Sequence, residues 1–178
     1  MKKTIFATAI AAAAAAAAFA PAAQAAGDGT ISFQGNVVAT TCVINGGNKD
    51  LNVTLPAVSA SVLKDAGSTA GRTPFTIKLS GCTGSSTTVS TAFEAGSTVN
   101  QNTGRLVVDN AATKVEIGLL NDKYQPIKAG AAQADQNSQV VALDAAGTEL
   151  NYFAEYVSLG DAAAGAANSR IQYSLVYQ

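Results

Sequence analysis

With no histidine anywhere in its 178 residues, this chain lacks the commonest general base, the usual metal ligand and the partner that activates serine and cysteine nucleophiles. Catalysis would have to rest on carboxylates or lysine. Asp and Glu are scattered singly, and the nearest approach to a pair, Glu149 and Glu155, reads as two solvated residues on a charged edge strand. Gly27 and Gly29 flank Asp28 without forming the GxGxxG pattern, and they neither follow a strand nor lead into a helix, so no phosphate cradle is expected. Asn52, Val53 and Thr54 fit a glycosylation sequon, a tripeptide common by chance. The expected catalytic, cofactor and metal sites are therefore none, and the residue inventory points away from an enzyme.

Cys42 and Cys82 are the only two cysteines. They lie forty residues apart with no CxxC and no histidine nearby, which disfavours a metal or redox centre. Their reading depends on the compartment, and residues 1–25 supply it. Lys2 and Lys3 precede an apolar run from Ile5 to Ala20, and Ala23 and Ala25 place small residues where a signal peptidase reads them. The run is shorter than the roughly 20 residues that span a bilayer. In an exported protein a Cys42–Cys82 disulfide is the default, stabilising the fold by roughly 4 kcal/mol through loop closure.

Cleavage after Ala25 leaves residues 26–178, the size of one domain with a real core. Two of the eleven basic residues depart with the signal, leaving nine against twelve acidic ones, a net charge near −3. A mildly acidic surface without a basic run argues against nucleic acid as a partner.

Short runs with period-two alternation, separated by Gly, Asn and Asp clusters, make the chain all-β. From Thr30 to Cys42 one run puts Ile31 and Phe33 on one face, with Thr30, Ser32 and Gln34 on the other. A second short strand is expected from Leu51 to Leu55. From Pro74 to Cys82, Phe75, Ile77 and Leu79 oppose Thr76, Lys78 and Ser80, the signature of a half-buried antiparallel strand. Further strands are expected at 87–94, 105–108, 115–120, 139–143, 150–158 and 170–178. A short helix could occupy 57–66, with small-residue loops at 129–136 and 160–168. Seven to nine strands at this spacing suggest a sandwich of immunoglobulin-like organisation.

Three stretches in order carry a resemblance: GTISFQGNVV from Gly29 to Val38 ahead of Cys42, TPFTIKL from Thr73 to Leu79 ahead of Cys82, and the closing IQYSLVYQ from Ile171 to Gln178. Together they resemble the pilins of the chaperone–usher pathway over the whole exported chain, with the major shaft subunits of type 1 fimbriae as the nearest pattern. The resemblance implies an incomplete immunoglobulin-like β-sandwich, completed by a donor strand from a neighbouring subunit. Its parts would be a signal peptide at 1–25, a donor-strand extension at 26–36 and a pilin domain at 37–178. The implied partners are neighbouring identical or related pilin subunits, a periplasmic chaperone and an outer-membrane usher, on a route through the periplasm to a fimbrium at the cell surface. Compared with the family pattern the extension is short at its tip, with Gly27 where a larger residue is common.

The residues suit both halves of that exchange. On the donor side, Gly29, Ile31, Phe33 and Gly35 share one face of an extended segment, two bulky anchors between two points of close backbone approach; the alternative is an ordinary first strand of the domain's own sheet. On the acceptor side, Ile171, Tyr173, Leu175 and Tyr177 form one apolar face on a strand that no later strand can cover. Gly165 and Tyr177 occupy the family's chaperone-recognition positions. The competing readings are a secreted monomeric β-sandwich binding module and a minor or adaptor pilin. Against a two-domain adhesin stand the chain length, which leaves no room for a lectin domain, and the lack of Trp.

Overall fold

The computed structural model describes residues 30–35, 37 and 39–178. The signal segment, Gly27 and Gly29 lie outside them. The chain divides into two compact units, Met1–Asn36 and Val37–Gln178. In the first, residues 30–35 run without strand or helix, and Ile31 and Phe33 are 81% and 91% exposed.

The described residues of the second unit form ten strands: β1 (Thr41–Ile44), β2 (Thr69–Thr83), β3 (Thr88–Phe93), β4 (Val99–Asn100), β5 (Arg105–Val107), β6 (Val115–Leu120), β7 (Pro126–Ile127), β8 (Val140–Ala142), β9 (Thr148–Ser158) and β10 (Tyr173–Tyr177). One sheet runs β1-β2-β9-β6-β5-β4, with β7 added beside β6; the other is β10-β3-β8. All pairings are antiparallel. The strand count slightly exceeds the sequence expectation because β4 and β7, two residues each, are too short to show a period. The helix expected within 57–66 is one 3-10 turn, Ala60–Leu63, opened by Ser59, whose hydroxyl accepts from the Ser61 N–H.

Alternation on the long strands builds the core. Ile77 and Leu79 of β2, Val89 and Phe93 of β3, Ile117 and Leu119 of β6, and Leu150 and Tyr152 of β9 turn inward and are buried. Tyr152 sits at the centre, 5.3 Å from the Phe93 ring edge-on and 5.5 Å from Phe75. Such aromatic contacts add to the area they bury.

Three expectations need correcting. The run from Thr30 to Cys42 is not one strand: regular pairing begins at Thr41. Leu51–Leu55 forms no strand either, because its backbone has no ladder partner, although its apolar alternation records a one-sided contact taken up below. Finally, β9 is an interior strand between β2 and β6, not an edge, and Glu155 on it is only 6% exposed. A bulge in β2 explains how the carboxylate is tolerated. Ala70 pairs with Tyr156 and Thr73 with Ala154, so Gly71 and Arg72 together oppose Glu155. Gly71 has φ +70° and lies against the Tyr156 ring, where a Cβ would come within 3.0 Å of that ring. The kink brings Arg72 Nε to 2.8 Å from Glu155 Oε2. Glu149 is exposed, as expected, and pairs with Lys78 at 3.1 Å.

Candidate functional site: an open groove beside the last strand

β10 bonds to β3 along one edge, from Tyr173 opposite Phe93 to Tyr177 opposite Val89. Along its other edge no strand follows among the described residues. In the opposite sheet β1 is likewise terminal, paired only with β2 through a bulged register. Between these two bare edges lies a groove of about 940 Å³. One wall is β1 with the segment from Lys49 to Leu55; the other runs from Ser169 to Tyr177; the floor is Phe75, Ile77, Phe93, Leu106, Ile117 and Leu119.

The sequence-derived acceptor residues Ile171, Tyr173, Leu175 and Tyr177 all line this groove, and all four are only half-buried. Gly165 sits elsewhere, in the coil before β10. A Cβ there would approach Asn110 Nδ2 and Thr113 Cγ2 to 2.9 Å, so close packing against the Ala111–Thr113 turn accounts for the glycine. Of the donor residues, Ile31, Phe33 and Gly35 are described and exposed; Gly29 is not described.

Cys42 and Cys82 form the expected disulfide, with Cα atoms 4.1 Å apart. It lies beside the Thr41–Thr83 pair and fastens the β1 wall to β2. A four-residue edge strand with alternating half-exposure has little else to hold it.

The polar fittings are few. The Tyr173 hydroxyl donates to the Lys49 carbonyl at 2.7 Å. Burial pushes the Tyr173 phenol pKa up, and the Asp50 charge pushes it further in the same direction. Tyr177 is also raised by burial, partly offset by the polar backbone of nearby Cys42. Sequence reading missed the segment from Lys49 to Leu55 as a groove wall. The signal was present in the alternation of Leu51, Val53 and Leu55, which was assigned to sheet pairing instead. It also missed Glu116, buried on β6 and held by Asn100 Nδ2 at 2.6 Å and Thr103 Oγ1 at 3.3 Å, a polar clasp on the β4–β5 turn. Among the described residues no group of three His, Cys, Asp or Glu stands close enough to hold a metal ion.

Chemically, such a site offers apolar pockets and a row of free main-chain donors and acceptors, the requirements for adding an extended strand. The family model described as "Fimbrial protein" matches residues 31–178. The chain is 48% identical to the "Major fimbrial subunit SMF-1" of Stenotrophomonas maltophilia, over 89% of this chain and 97% of that one. It is 40% identical to the "F17 fimbrial protein" of Escherichia coli, over 85% and 88%. In fold it resembles the P pilus rod subunit PapA, with a TM-score of 0.59 at 21% identity, covering 77% of this chain and 99% of that one. The chain thus belongs to the fimbrial protein family and is a structural subunit of a bacterial fimbrium, exported to the cell surface.

Proposed function

We propose that this subunit polymerises by donor-strand exchange, with the Gly29–Gly35 segment of one copy seated in the groove of the next. The observation that carries the reading is the bare edge of β10 above an apolar floor. Exposed sheet edges invite pairing and are normally blunted or covered. A strand laid along β10 would satisfy its free main-chain groups and cover Ile171, Leu175 and the floor beneath them.

The donor side is supported by Ile31 and Phe33, large apolar residues left almost wholly in solvent. Burying each contributes roughly 1.5–3 kcal/mol, and main-chain hydrogen bonds add to that. The division of the chain after Asn36 supports reading residues 26–36 as an extension and 37–178 as the pilin domain. A seven-residue strand from Gly29 to Gly35 spans about 23 Å, enough to run the length of the five-residue β10 at about 17 Å.

Before assembly the same groove would be filled by a strand from a periplasmic chaperone, with Gly165 and Tyr177 in its recognition motif, and an outer-membrane usher would direct the exchange. The role is mechanical, and the reading assigns the chain no reaction to catalyse. Deleting residues 26–33 tests it. The shortened subunit should accumulate folded and disulfide-bonded in the periplasm and bind a synthetic peptide covering residues 27–38, while electron microscopy shows no fibres built from it. Fibres of ordinary length from the truncated chain would overturn the donor assignment.

A further inference from the structure

Resting on that reading, we propose that Thr40 is the shoulder of the donor extension: it pins the root of the arm to the β2–β3 turn and so sets how stiffly one copy is joined to the next. Thr40 precedes β1, so no ladder holds it. It is nonetheless only 8% exposed, between Ala39 and Thr41, which are both exposed. Its hydroxyl donates to Ser86 Oγ at 2.8 Å and accepts from the Ser86 N–H at 3.1 Å, joining positions 46 residues apart. Against it lies Gly84, with φ +112°, where a Cβ would stand 2.5 Å from Thr40 Oγ1 and 2.6 Å from Thr40 Cα. No side chain fits between the two backbones, and the left-handed glycine makes the socket.

A second set of bonds ties the same turn to the acceptor strand. The N–H groups of Thr87 and Thr88 both donate to the carbonyl of Gln178, the residue after β10, at 2.8 and 3.1 Å. The Gln178 N–H donates back to the Thr88 carbonyl at 3.0 Å. Residues 84–88 therefore clasp both the root of the arm that a copy gives and the end of the strand beside which it receives one. Tension entering a subunit through its arm and leaving through β10 meets on one short turn.

The consequence is mechanical. With residues 29–35 seated in a neighbour and residue 40 buried in its own body, only residues 36–39 bridge the two, and the five Cα steps from 35 to 40 reach at most about 18 Å. While the hydroxyl is bonded, the chain leaves the body in one direction. Without it the pivot retreats to Thr41, at the bulged start of a four-residue edge strand. Thr40 lies outside both the donor segment and the groove lining, so it is a positioning residue of the joint and takes no part in strand pairing.

The test compares fibres of the full chain in electron micrographs with those of three variants. Thr40→Val keeps the shape and removes both hydrogen bonds, Ser86→Ala removes the partner hydroxyl, and Thr40→Ser restores the bonding group. Losing one ordinary hydrogen bond should release the root about two- to tenfold more often, read as faster hydrogen exchange at the Ser86 amide of Thr40→Val. The persistence length should shorten by about twofold in Thr40→Val, less in Ser86→Ala, and remain unchanged in Thr40→Ser, while affinity for a peptide covering residues 27–38 stays constant. Fibres of unaltered persistence length despite a faster Ser86 amide would overturn the shoulder. So would a shortened length that comes with weakened peptide binding, since Thr40 would then act through the groove. Should Thr40→Val not fold, Ser86→Ala carries the same comparison. Fibres that survive deletion of residues 26–33 would instead strike the donor reading itself, whatever their stiffness.

Discussion

Two regions of one core, built from the same kinds of side chain, end in different states. Around Tyr152 the inward residues of β3, β6 and β9 interlock, and Tyr152, Leu150 and Val89 are all 0% exposed. From Ile171 through β10, Ile171, Tyr173, Leu175 and Tyr177 alternate onto one apolar face, yet each remains half-exposed. Hydrophobicity does not separate the regions; strand count does. β9 has a neighbour on each side, whereas β10 has one. Burial in a sandwich depends on main-chain partners as much as on side chains, because an apolar residue on a bare edge has nothing beyond it to close the contact.

The largest effect should come from attacking the closed region. Tyr152→Ala removes the ring that joins Phe75 and Phe93 and should cost about 3–5 kcal/mol, read as a drop in the denaturant midpoint; a loss under about 1 kcal/mol would mean that this region is no better packed than the groove. Next comes the tie that holds one groove wall. Cys42→Ser opens the cross-link between β1 and β2 and should lower stability by roughly 2–4 kcal/mol, with hydrogen exchange rising first over residues 41–55. An unchanged melting temperature would show that β1 is held by pairing alone.

A pH series sharpens the contrast further. Burial raises the phenol pKa of Tyr152, and of Tyr173 and Tyr177 in the groove. The folded chain then retains protons that the unfolded chain releases near pH 10, so this stabilisation is complete below about pH 10 and is lost as pH climbs above it. The melting temperature should hold steady from pH 7 to 9 and fall above 10, and a flat profile to pH 11 would contradict it. The smallest effect is expected on the outer face. Arg72→Ala deprives the covered Glu155 carboxylate of its partner at 2.8 Å, but the arginine is partly in solvent, and a loss of about 1 kcal/mol is expected by denaturant titration.

Much of this contrast was legible in the sequence. β6 falls on its expected limits, Val115–Leu120, and β2, β3, β9 and β10 follow the strict alternation of Phe75, Ile77 and Leu79 or of Ile171, Tyr173, Leu175 and Tyr177. That face on a final strand already described half of the groove. The rest depended on contacts distant in the chain. Alternation at Leu51, Val53 and Leu55 reports which side is covered, and the same pattern arises whether a segment joins a ladder or only leans on a groove. Glu155 looked solvated because nothing local signals that a bulge at Gly71, more than eighty residues earlier, delivers Arg72 to it. Residues 30–35 carry a strand pattern without being a strand, since extended backbone counts as one only when another backbone bonds to it.

The central claim is that the exposed anchors of one copy fill the open region of another. A photoreactive benzoylphenylalanine in place of Phe33, introduced into fibres grown from mixed light and heavy isotope-labelled subunits, tests it most directly. On irradiation, mass spectrometry should find light–heavy peptide pairs joining position 33 of one copy to residues 169–177 or 41–55 of another. Cross-links confined to a single copy, or reaching only residues outside the groove, would contradict the account.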